Sequence, residues 1–214
     1  MSQRDTVERI LHAATILFSE RGFSETSLRT ITSTAEVNLA SVNYHFGSKK
    51  ELIQAVFSRF FTPFCRELDE QTSRLEMELT EGKEVRLERI LHSVLHALLL
   101  ATEEIGEQPQ RFMRLISLGY SQPQEHLRKH LVANYGASYN RFIALLKQSM
   151  PNLDRTVFYW RLYFMLGAAV FNLSSYDSIR AILQLEYDED TSLEEAINLL
   201  VPSLVGILDV PDIR

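Results

Sequence analysis

The sequence predicts an all-α protein, because apolar residues recur at helical spacing along it and no segment alternates as a strand does. Short polar or proline-containing breaks separate the helical segments. With 214 residues and 45% apolar composition, the chain can bury the core of one domain or of two small ones. We expect about nine helices, grouped into a three-helix N-terminal domain and a larger C-terminal helical domain.

The first helix is predicted over about residues 6–21, where apolar positions follow helical spacing. Asp5 is a favourable N-cap for this helix, and Gly22 fits a left-handed C-terminal cap. We expect the helix to pack across the next two helices and to act as their scaffold.

Residues 26–52 are predicted to form two short helices joined by a tight turn, with a long helix directly after them. Thr26 and Ser27 are N-cap residue types that precede apolar positions at helical spacing. Asn38 can cap the second short helix, which extends to about Phe46. This arrangement is typical of a helix-turn-helix, here at about residues 27–46.

The second short helix has one apolar side and one polar side. Leu39, Val42 and Phe46 share one side of the helical wheel, so that side is predicted to be buried. Small, amide, hydroxyl and imidazole groups suit a DNA major groove, where they approach closely and bind base edges or phosphates. The opposite side and its flank carry Ala40, Ser41, Asn43, Tyr44 and His45.

The run ILHAATILFSERGFSETSLRTITSTAEVNLASVNYHFGSKKELIQAVF resembles the N-terminal domain of TetR-type transcriptional regulators, above all in YHFGSKKEL at its distance from RGF and TSLRTI. Two positions depart from the family pattern. Glu36 stands where the family often has a turn glycine, so we expect a strained turn. Asn43 stands where a tyrosine is common, which puts the phosphate contact of that position in doubt.

The resemblance and the residue pattern together predict a DNA-binding domain at residues 1–47, called the head below. We assign Tyr44, His45 and Lys49 to phosphates, and Ser41 and Asn43 to base edges or adjacent backbone. The predicted DNA-binding residues are Thr26, Ser27, Arg29, Asn38, Ala40, Ser41, Asn43, Tyr44, His45 and Lys49. The expected partner is double-stranded operator DNA.

Charge alone does not decide whether the chain binds DNA. The formal net charge is −6, but residues 26–50 carry Arg29, Lys49 and Lys50 against Glu36 alone. A weakly basic head on an acidic remainder can bind DNA, since field and contacts are local. A solvated surface without any partner fits the charge equally well.

Residues 48–214, called the body below, are predicted to be a helical ligand-binding and dimerisation domain. Gly47 ends the preceding helix, and Ser48 to Glu51 form a capping box for a long helix that reaches the 70s. Pro63 is expected to bend or break that helix. Further helices are predicted over about 85–105, 110–120, 123–150, 155–172 and 191–208, with at most a short helix over 176–190.

The last two long helices are expected to form a homodimer interface. The helix after Asp154 is apolar nearly all round, and Gly167 in it would let another helix approach closely. The alternative is that both helices fill the core of a monomer. Dimerisation is favoured because a helix-turn-helix protein generally needs two heads on a two-fold site.

A second resemblance concerns the effector. The segments FMRLISLGYSQPQEHLRKHL, WRLYFMLGAAVF and INLLVPSLVGIL resemble the PsrA-type regulators of fatty-acid metabolism. The resemblance implies a repressor that releases its operator on binding a long-chain fatty acid or acyl-CoA. Two alternatives stay open: a TetR-type regulator of another apolar or aromatic ligand, and a helical interaction module that does not bind DNA.

The aromatic and methionine residues of the body are expected to be mostly ordinary core, with some of them lining an apolar cavity that no sequence pattern assigns to particular residues. Arg161 lies in a helix that is otherwise apolar, so we expect it to pair with an acid inside the fold or to meet an acidic ligand. The predicted ligand-binding residues are Phe60, Phe64, Leu98, Phe112, Met113, Phe142, Arg161 and Met165.

Other classes of function are disfavoured. The chain shows no glycine-rich phosphate loop and no serine or cysteine with an identifiable base, so we expect neither an enzyme nor a cofactor. The histidine pairs in HSVLH and HLRKH are read as structural or solvated rather than as metal ligands. The single Cys65 fits a reducing cytoplasm, no leader is recognised, and the segment from Leu162 to Leu173 is too short to span a membrane.

Overall fold

The computed structural model describes residues 3–122 and 124–210, which form ten α-helices and no strand. The helices are α1 (Gln3–Glu25), α2 (Leu28–Thr34), α3 (Leu39–Phe46), α4 (Lys49–Thr80), α5 (Leu87–Glu104), α6 (Pro109–Ser121), α7 (Glu125–Ser149), α8 (Arg155–Ser174), α9 (Tyr176–Tyr187) and α10 (Leu193–Leu208). The all-α prediction is confirmed, with one helix more than expected. Pro123, predicted to begin the seventh helix, lies outside the described residues.

The additional helix is α9, where the sequence predicted at most a short helix in a less regular segment. Its apolar residues Ile179, Ile182 and Leu183 follow helical spacing, but none of its residues is buried. Polar contacts hold it instead: Arg180 pairs with Asp190, and the Tyr176 hydroxyl donates to the Thr191 carbonyl over 2.6 Å. Contacts of this kind between α9 and the residues after it leave no periodic pattern.

Four of the ten described helices, α2, α3, α4 and α8, begin at polar caps that the sequence predicts. The Asp154 carboxylate accepts from the backbone N–H of Thr156 over 2.9 Å at the start of α8. Helix α10 is capped by Ser192, one residue after the predicted Thr191, in a complete capping box with Glu195. The Asp5 cap was wrong: α1 already includes Gln3, so Asp5 lies in the first turn of the helix.

Helix α4 runs unbroken from Lys49 to Thr80 and belongs to both the head and the body. Pro63 lies inside it without ending it, so the predicted break does not occur. The helix packs most extensively against α5 and α7. Its buried side chains are Leu52, Ile53, Val56, Phe57, Phe60, Pro63, Cys65, Leu68, Thr72 and Leu75.

The core of the head forms where α1 crosses α2, α3 and the start of α4. Gly22 adopts a φ of 81°, which breaks the helical geometry of α1 and lets the chain turn. Phe23 then packs edge-on against Phe18, with ring centroids 5.4 Å apart, and contacts Phe57 of α4 at 6.0 Å. These rings join the scaffold helix to the long helix, as the predicted role of α1 requires.

Helix α8 is buried on one side only. Phe158, Leu162 and Met165 are in the core, whereas Trp160 and Phe164 are 62% and 59% exposed. The exposed aromatic face thus lies on a helix whose opposite side is packed in the core.

Among the described residues, no helix is both long enough and apolar enough to cross a membrane.

The stacked rings at the centre of the body predict a large stability cost for truncation. Phe112 lies 4.8 Å from Phe60 in a parallel stack and is 2% exposed. We expect Phe112→Ala to lower the free energy of unfolding by about 3–5 kcal/mol, and Phe112→Leu by about 1–2 kcal/mol. Urea titrations at one fixed protein concentration measure both values. Equal losses for the two variants would contradict a packed ring at this position.

Candidate nucleic-acid interface

The predicted helix-turn-helix is present, and local hydrogen bonds define its first helix. The Ser27 hydroxyl accepts from the backbone N–H of Thr30 over 3.0 Å and caps α2. At the other end, the N–H of Val37 donates to the Thr32 carbonyl and that of Glu36 to the Ser33 carbonyl. This pair of bonds is a Schellman motif, which places Glu36 at the left-handed position.

Glu36 adopts a φ of 51°, a left-handed conformation that favours glycine. The expected strain in this turn is therefore present. The Arg9 guanidinium on α1 donates over 2.9 Å to the Glu36 carboxylate and over 3.4 Å to its carbonyl oxygen. Because these bonds connect the turn to α1, they help to hold the strained residue in place. Gly82 and Gly106 occupy the same position at the ends of α4 and α5.

Helix α3 is oriented by its apolar side, as the sequence predicts. The Asn38 amide oxygen accepts from the N–H of Ala40 over 3.0 Å and caps the helix. Val42 is fully buried, and Leu39 and Phe46 are half-buried against the head. Gly47 ends α3 with a φ of 78°, which turns the chain directly into α4.

The opposite side of α3 faces away from the protein. Ala40, Asn43 and Tyr44 are exposed, and Ser41 and His45 are half-buried. The Tyr44 side chain is 77% exposed, and its ring meets that of His45 edge-on at 4.9 Å. Among the described residues, no side chain hydrogen-bonds the Asn43 amide or the Ser41 hydroxyl. These donors and acceptors are available to an external partner.

Thr26 corrects one prediction. Its side chain is fully buried, and its hydroxyl donates to the carbonyl oxygens of Gly22 and Leu17 over 2.8 Å and 3.2 Å. The hydroxyl satisfies backbone groups where α1 ends, so it cannot contact DNA. Two adjacent N-cap residue types made the sequence ambiguous here, and only Ser27 serves as the cap.

The two remaining residues that the sequence predicts to bind DNA are cationic. Arg29 is exposed on α2, next to the Ser27 cap. Lys49 is half-buried in the first turn of α4, and this burial lowers the pKa of its ammonium group while the nearby Glu25 opposes the shift. The two cations lie on either side of α3 in the sequence, where each can bind a phosphate.

The predicted ligand-binding residues of the body pack into its core. Phe112 stacks on Phe60 and meets Phe64 edge-on at 6.1 Å. Leu98, Phe142 and Met165 are buried and Met113 is half-buried. None of these residues lines the cavities of about 540 Å³ and 270 Å³ that lie beside the start of α5. The rings of Phe60, Phe64 and Phe112 pack directly against one another, and the ligand-binding role of this set stays a prediction.

Arg161 has a different partner from the one expected. Its guanidinium donates to the Leu208 carbonyl over 3.0 Å, and no ion pair to an acid forms among the described residues. The last carbonyls of a helix lack intrahelical donors, so Arg161 satisfies one at the end of α10. The predicted pairing with an acid was wrong, because no sequence pattern shows that α10 ends beside α8.

The larger cavity, of about 540 Å³, lies at the end of the body where α4 stops and α5 begins. Its lining mixes apolar and charged residues from four helices and a connection. The residues are Leu79, Glu84, Val85, Arg86, Leu87, Glu88, Ile90, Leu145, Gln148, Ser149, Val205 and Asp209. The sequence analysis missed this set, since no motif connects segments so far apart in the chain.

Two family models match the chain. The model described as "Bacterial regulatory proteins, tetR family" matches residues 10–56, which contain α2, α3 and the start of α4. The model described as "Tetracyclin repressor-like, C-terminal domain" matches residues 92–206, slightly more than half of the chain. The first match runs from α1 into the first turns of α4, and the second lies wholly within residues 48–214.

Several curated proteins share part of the sequence. The probable HTH-type transcriptional regulator YttP of Bacillus subtilis is 32% identical over 82 residues, covering 38% of this chain and 40% of that protein. The HTH-type transcriptional repressor Rv3405c of Mycobacterium tuberculosis is 33% identical over 116 residues, covering 54% and 58%. The chain thus spans about half the length of the curated relatives it matches.

Solved structures share the fold over nearly the whole chain. A TetR family transcription regulator from Marinobacter aquaeolei VT8 superposes with a TM-score of 0.62 at 16% identity, covering 97% of this chain and 98% of that one. The fatty acid degradation regulator FadR from Bacillus halodurans superposes with a TM-score of 0.61 at 13% identity, covering 98% and 97%. Identities this low establish the shared fold alone.

The strained turn of the head predicts an unusual gain in stability. A non-glycine residue in the left-handed conformation costs on the order of 1–3 kcal/mol. Glycine removes this cost, but its greater conformational freedom in the unfolded state offsets part of the resulting gain in stability. We expect Glu36→Gly to raise the free energy of unfolding by about 1 kcal/mol in urea titrations.

The control variant Glu36→Gln keeps the left-handed residue and loses only the ion pair with Arg9. It should lower the free energy of unfolding by about 0.5 kcal/mol or less. A glycine variant less stable than the glutamine variant would contradict strain at this turn.

Proposed function

The chain belongs to the TetR family of bacterial transcriptional regulators, and from that premise we propose that it is a homodimeric repressor of a two-fold operator. The observation that carries the proposal is the outward face of α3. On this face Asn43 and Tyr44 are exposed and Ser41 and His45 are half-buried, while Val42 on the opposite side is fully buried. A short helix fixed from behind in this way can enter a major groove without rearrangement.

The proposed contacts follow from where each side chain lies. Asn43 offers an amide that can bond adenine N6 and N7 together, and Ser41 reaches base edges or the adjacent backbone. Tyr44, His45 and Lys49 bind phosphates on either side of the groove. The head is placed on the sugar-phosphate backbone by the other exposed residues that the sequence predicts to bind DNA, among them Arg29 and Ser27.

The homodimer is proposed from the exposed aromatic face of the body. On α8, the side chains of Trp160, Phe164 and Phe171 are all more than half exposed, and on α10 Leu199 is 71% exposed. Large exposed apolar side chains grouped on one face of a helix, as on α8, commonly mark an interface between proteins. A second copy related by a two-fold axis would cover it and bring two heads to one operator.

The proposed effector is a long-chain fatty acid or its acyl-CoA, and the proposed targets are genes of fatty-acid metabolism. Support comes from the resemblance of three body segments to PsrA-type regulators. The solved FadR structure, which is a fatty acid degradation regulator, shares the fold. An acyl chain would have to displace the stacked rings of Phe60 and Phe112, so binding and a change in α4 or α6 would be coupled.

One observation favours a second candidate, a regulator of a neutral or cationic ligand. The lining of the 540 Å³ cavity includes the carboxylates of Glu84, Glu88 and Asp209 against the single guanidinium of Arg86. This excess of negative charge disfavours the binding of a carboxylate or phosphate group in the cavity. In this case, operator release would answer to a ligand without negative charge.

The effector proposal is tested on DNA selected from a random duplex pool by the full-length protein. Operator affinity is then measured by fluorescence anisotropy with oleate, oleoyl-CoA, octanoate or no addition. We expect oleoyl-CoA or oleate to weaken binding by about 5–150-fold, while octanoate has little effect. Selected DNA whose affinity is the same in all four conditions would exclude the acyl effector and leave the DNA-binding proposal intact.

The proposed contacts of α3 predict two distinguishable variants. Asn43→Ala should relax base preference at one position in each half-site, with a loss of about 1–3 kcal/mol for the preferred base. Lys49→Ala should weaken all sequences alike and lessen the salt slope by about 1 per head.

Lys83→Ala is the matched control for charge. Lys83 lies past the far end of the 32-residue α4, about 50 Å from Lys49 at 1.5 Å per residue, well beyond the Debye length. Its removal should leave affinity and salt slope unchanged. Identical behaviour of the two lysine variants would contradict the proposed docking.

The dimer proposal is tested at Gly167. A Cβ atom added there meets nothing within 4 Å in the monomer, so a bulky side chain disturbs only what another molecule places against α8. We expect Gly167→Leu to give monomers or aggregates in light scattering and to lose operator binding. In the control Gly136→Leu, the added Cβ makes only ordinary contact with Val132, and the dimer should persist. A normal dimer with Gly167→Leu would place the interface elsewhere.

A further inference from the structure

A buried carboxylate lies where the head meets the body. Glu107 follows Gly106 in the turn between α5 and α6, and its backbone N–H donates to the Thr102 carbonyl over 2.9 Å. Its side chain is only 1% exposed. A buried carboxylate is costly unless charged or hydrogen-bonding groups surround it, so the neighbours of Glu107 determine which arrangement of the two units is stable.

The two oxygens of Glu107 face different parts of the molecule. Oε2 accepts from the Arg111 guanidinium over 2.6 Å, a pairing within the body that any movement of the head would leave intact. Oε1 lies 3.4 Å from Nδ1 of His12 on α1 and makes no hydrogen bond within the described residues. The head therefore supplies the only ring nitrogen or cation that approaches this oxygen among the described ion pairs.

A second contact between α1 and the turn that follows α5 lies beside the contact between His12 and Glu107. Arg59 of α4 is largely buried, and its guanidinium donates to the Ile105 carbonyl over 3.4 Å, in the same turn as Glu107. The other amino group of Arg59 lies 3.5 Å from the carboxylate of Glu8 on α1. Glu8 and His12 are four residues apart, so both face this turn from one side of α1.

We propose that a clamp fixes the angle of the head on the body. It consists of Glu8, His12, Arg59, Glu107 and Arg111. These are positioning residues, and none of them belongs to the surface proposed to contact DNA. The clamp holds α1, whose side chains form much of the core of the head. Holding α1 therefore fixes the orientation of α3. In the dimer it therefore sets the separation and rotation of the two recognition helices.

This inference rests on the proposed function and adds a specificity to it. A rigid pair of heads recognises one spacing between half-sites, and a looser pair tolerates several. Each base pair inserted between half-sites moves them apart by about 3.4 Å and rotates one against the other by roughly 35°. The clamp predicts that the wild-type protein discriminates steeply between such sites.

The experiment measures affinity for the selected operator and for versions with one or two base pairs inserted or deleted at its centre. The variants are His12→Ala, Glu107→Gln and the control Glu103→Gln, all in the full-length protein. His12 and Glu103 are exposed, so their substitution leaves the core intact. The control removes the same charge as Glu107→Gln from an exposed position four residues away.

For the wild type and the control, we expect a loss on the order of tenfold or more for one inserted base pair. For His12→Ala and Glu107→Gln, we expect that loss to shrink to about threefold or less. Thermal melts identify a Glu107→Gln variant that fails to fold, and the exposed His12→Ala variant then decides alone.

A clamp variant whose spacing profile runs parallel to the wild type overturns the inference, even if its overall affinity falls. A wild-type protein that binds all spacings equally overturns it as well. A wild-type protein that selects no DNA sinks the proposed function and the inference together, and so differs from both of these outcomes.

Discussion

Helix α4 contributes side chains to a continuous core that extends from the head into the body. Near its start, Leu52, Val56 and Phe57 are buried with α1 and α3 in the head, and farther along Phe60 and Leu68 are buried with the helices of the body. A helix packed on both sides cannot tilt in one unit without disturbing the other, because packed interiors resist deformation. Packing along α4, rather than a flexible linker, therefore connects the two units, and every proposed link between effector and DNA depends on it.

Two surfaces of the molecule have features that the fold alone does not require. The outward face of α3 presents unpaired polar groups on a helix that Val42 anchors from behind. The outward face of α8 presents large aromatic rings on a helix that Phe158 and Leu162 anchor in the same way. Polar groups in the first case fit the grooves of DNA, and apolar area in the second fits another protein surface. The two faces together are what a two-headed DNA-binding protein requires.

Local chemistry was predictable from the sequence, and long-range pairing was not. Asn38 and Asp154 cap their helices as expected, because an N-cap needs only a side chain and a backbone within three residues. Thr26 was placed on the DNA surface and Arg161 beside an acid, yet both satisfy carbonyl oxygens. For Arg161 the acceptor is 47 residues away and depends on how α8 and α10 meet. The aromatic residues of the body were expected to be mostly ordinary core, and the rings around Phe112 do pack together. Which of them line a space for a ligand stays a prediction, since composition cannot distinguish rings that line a space from rings that fill it.

The mass of the protein–DNA complex tests the central claim that two heads at a fixed separation bind one operator. Sedimentation equilibrium can be run with the selected operator and with a duplex that carries only one half-site. The account predicts two 24.7 kDa chains on each full operator and much weaker binding to the half-site duplex. One chain for each full operator, with the same affinity for the half-site, would contradict it.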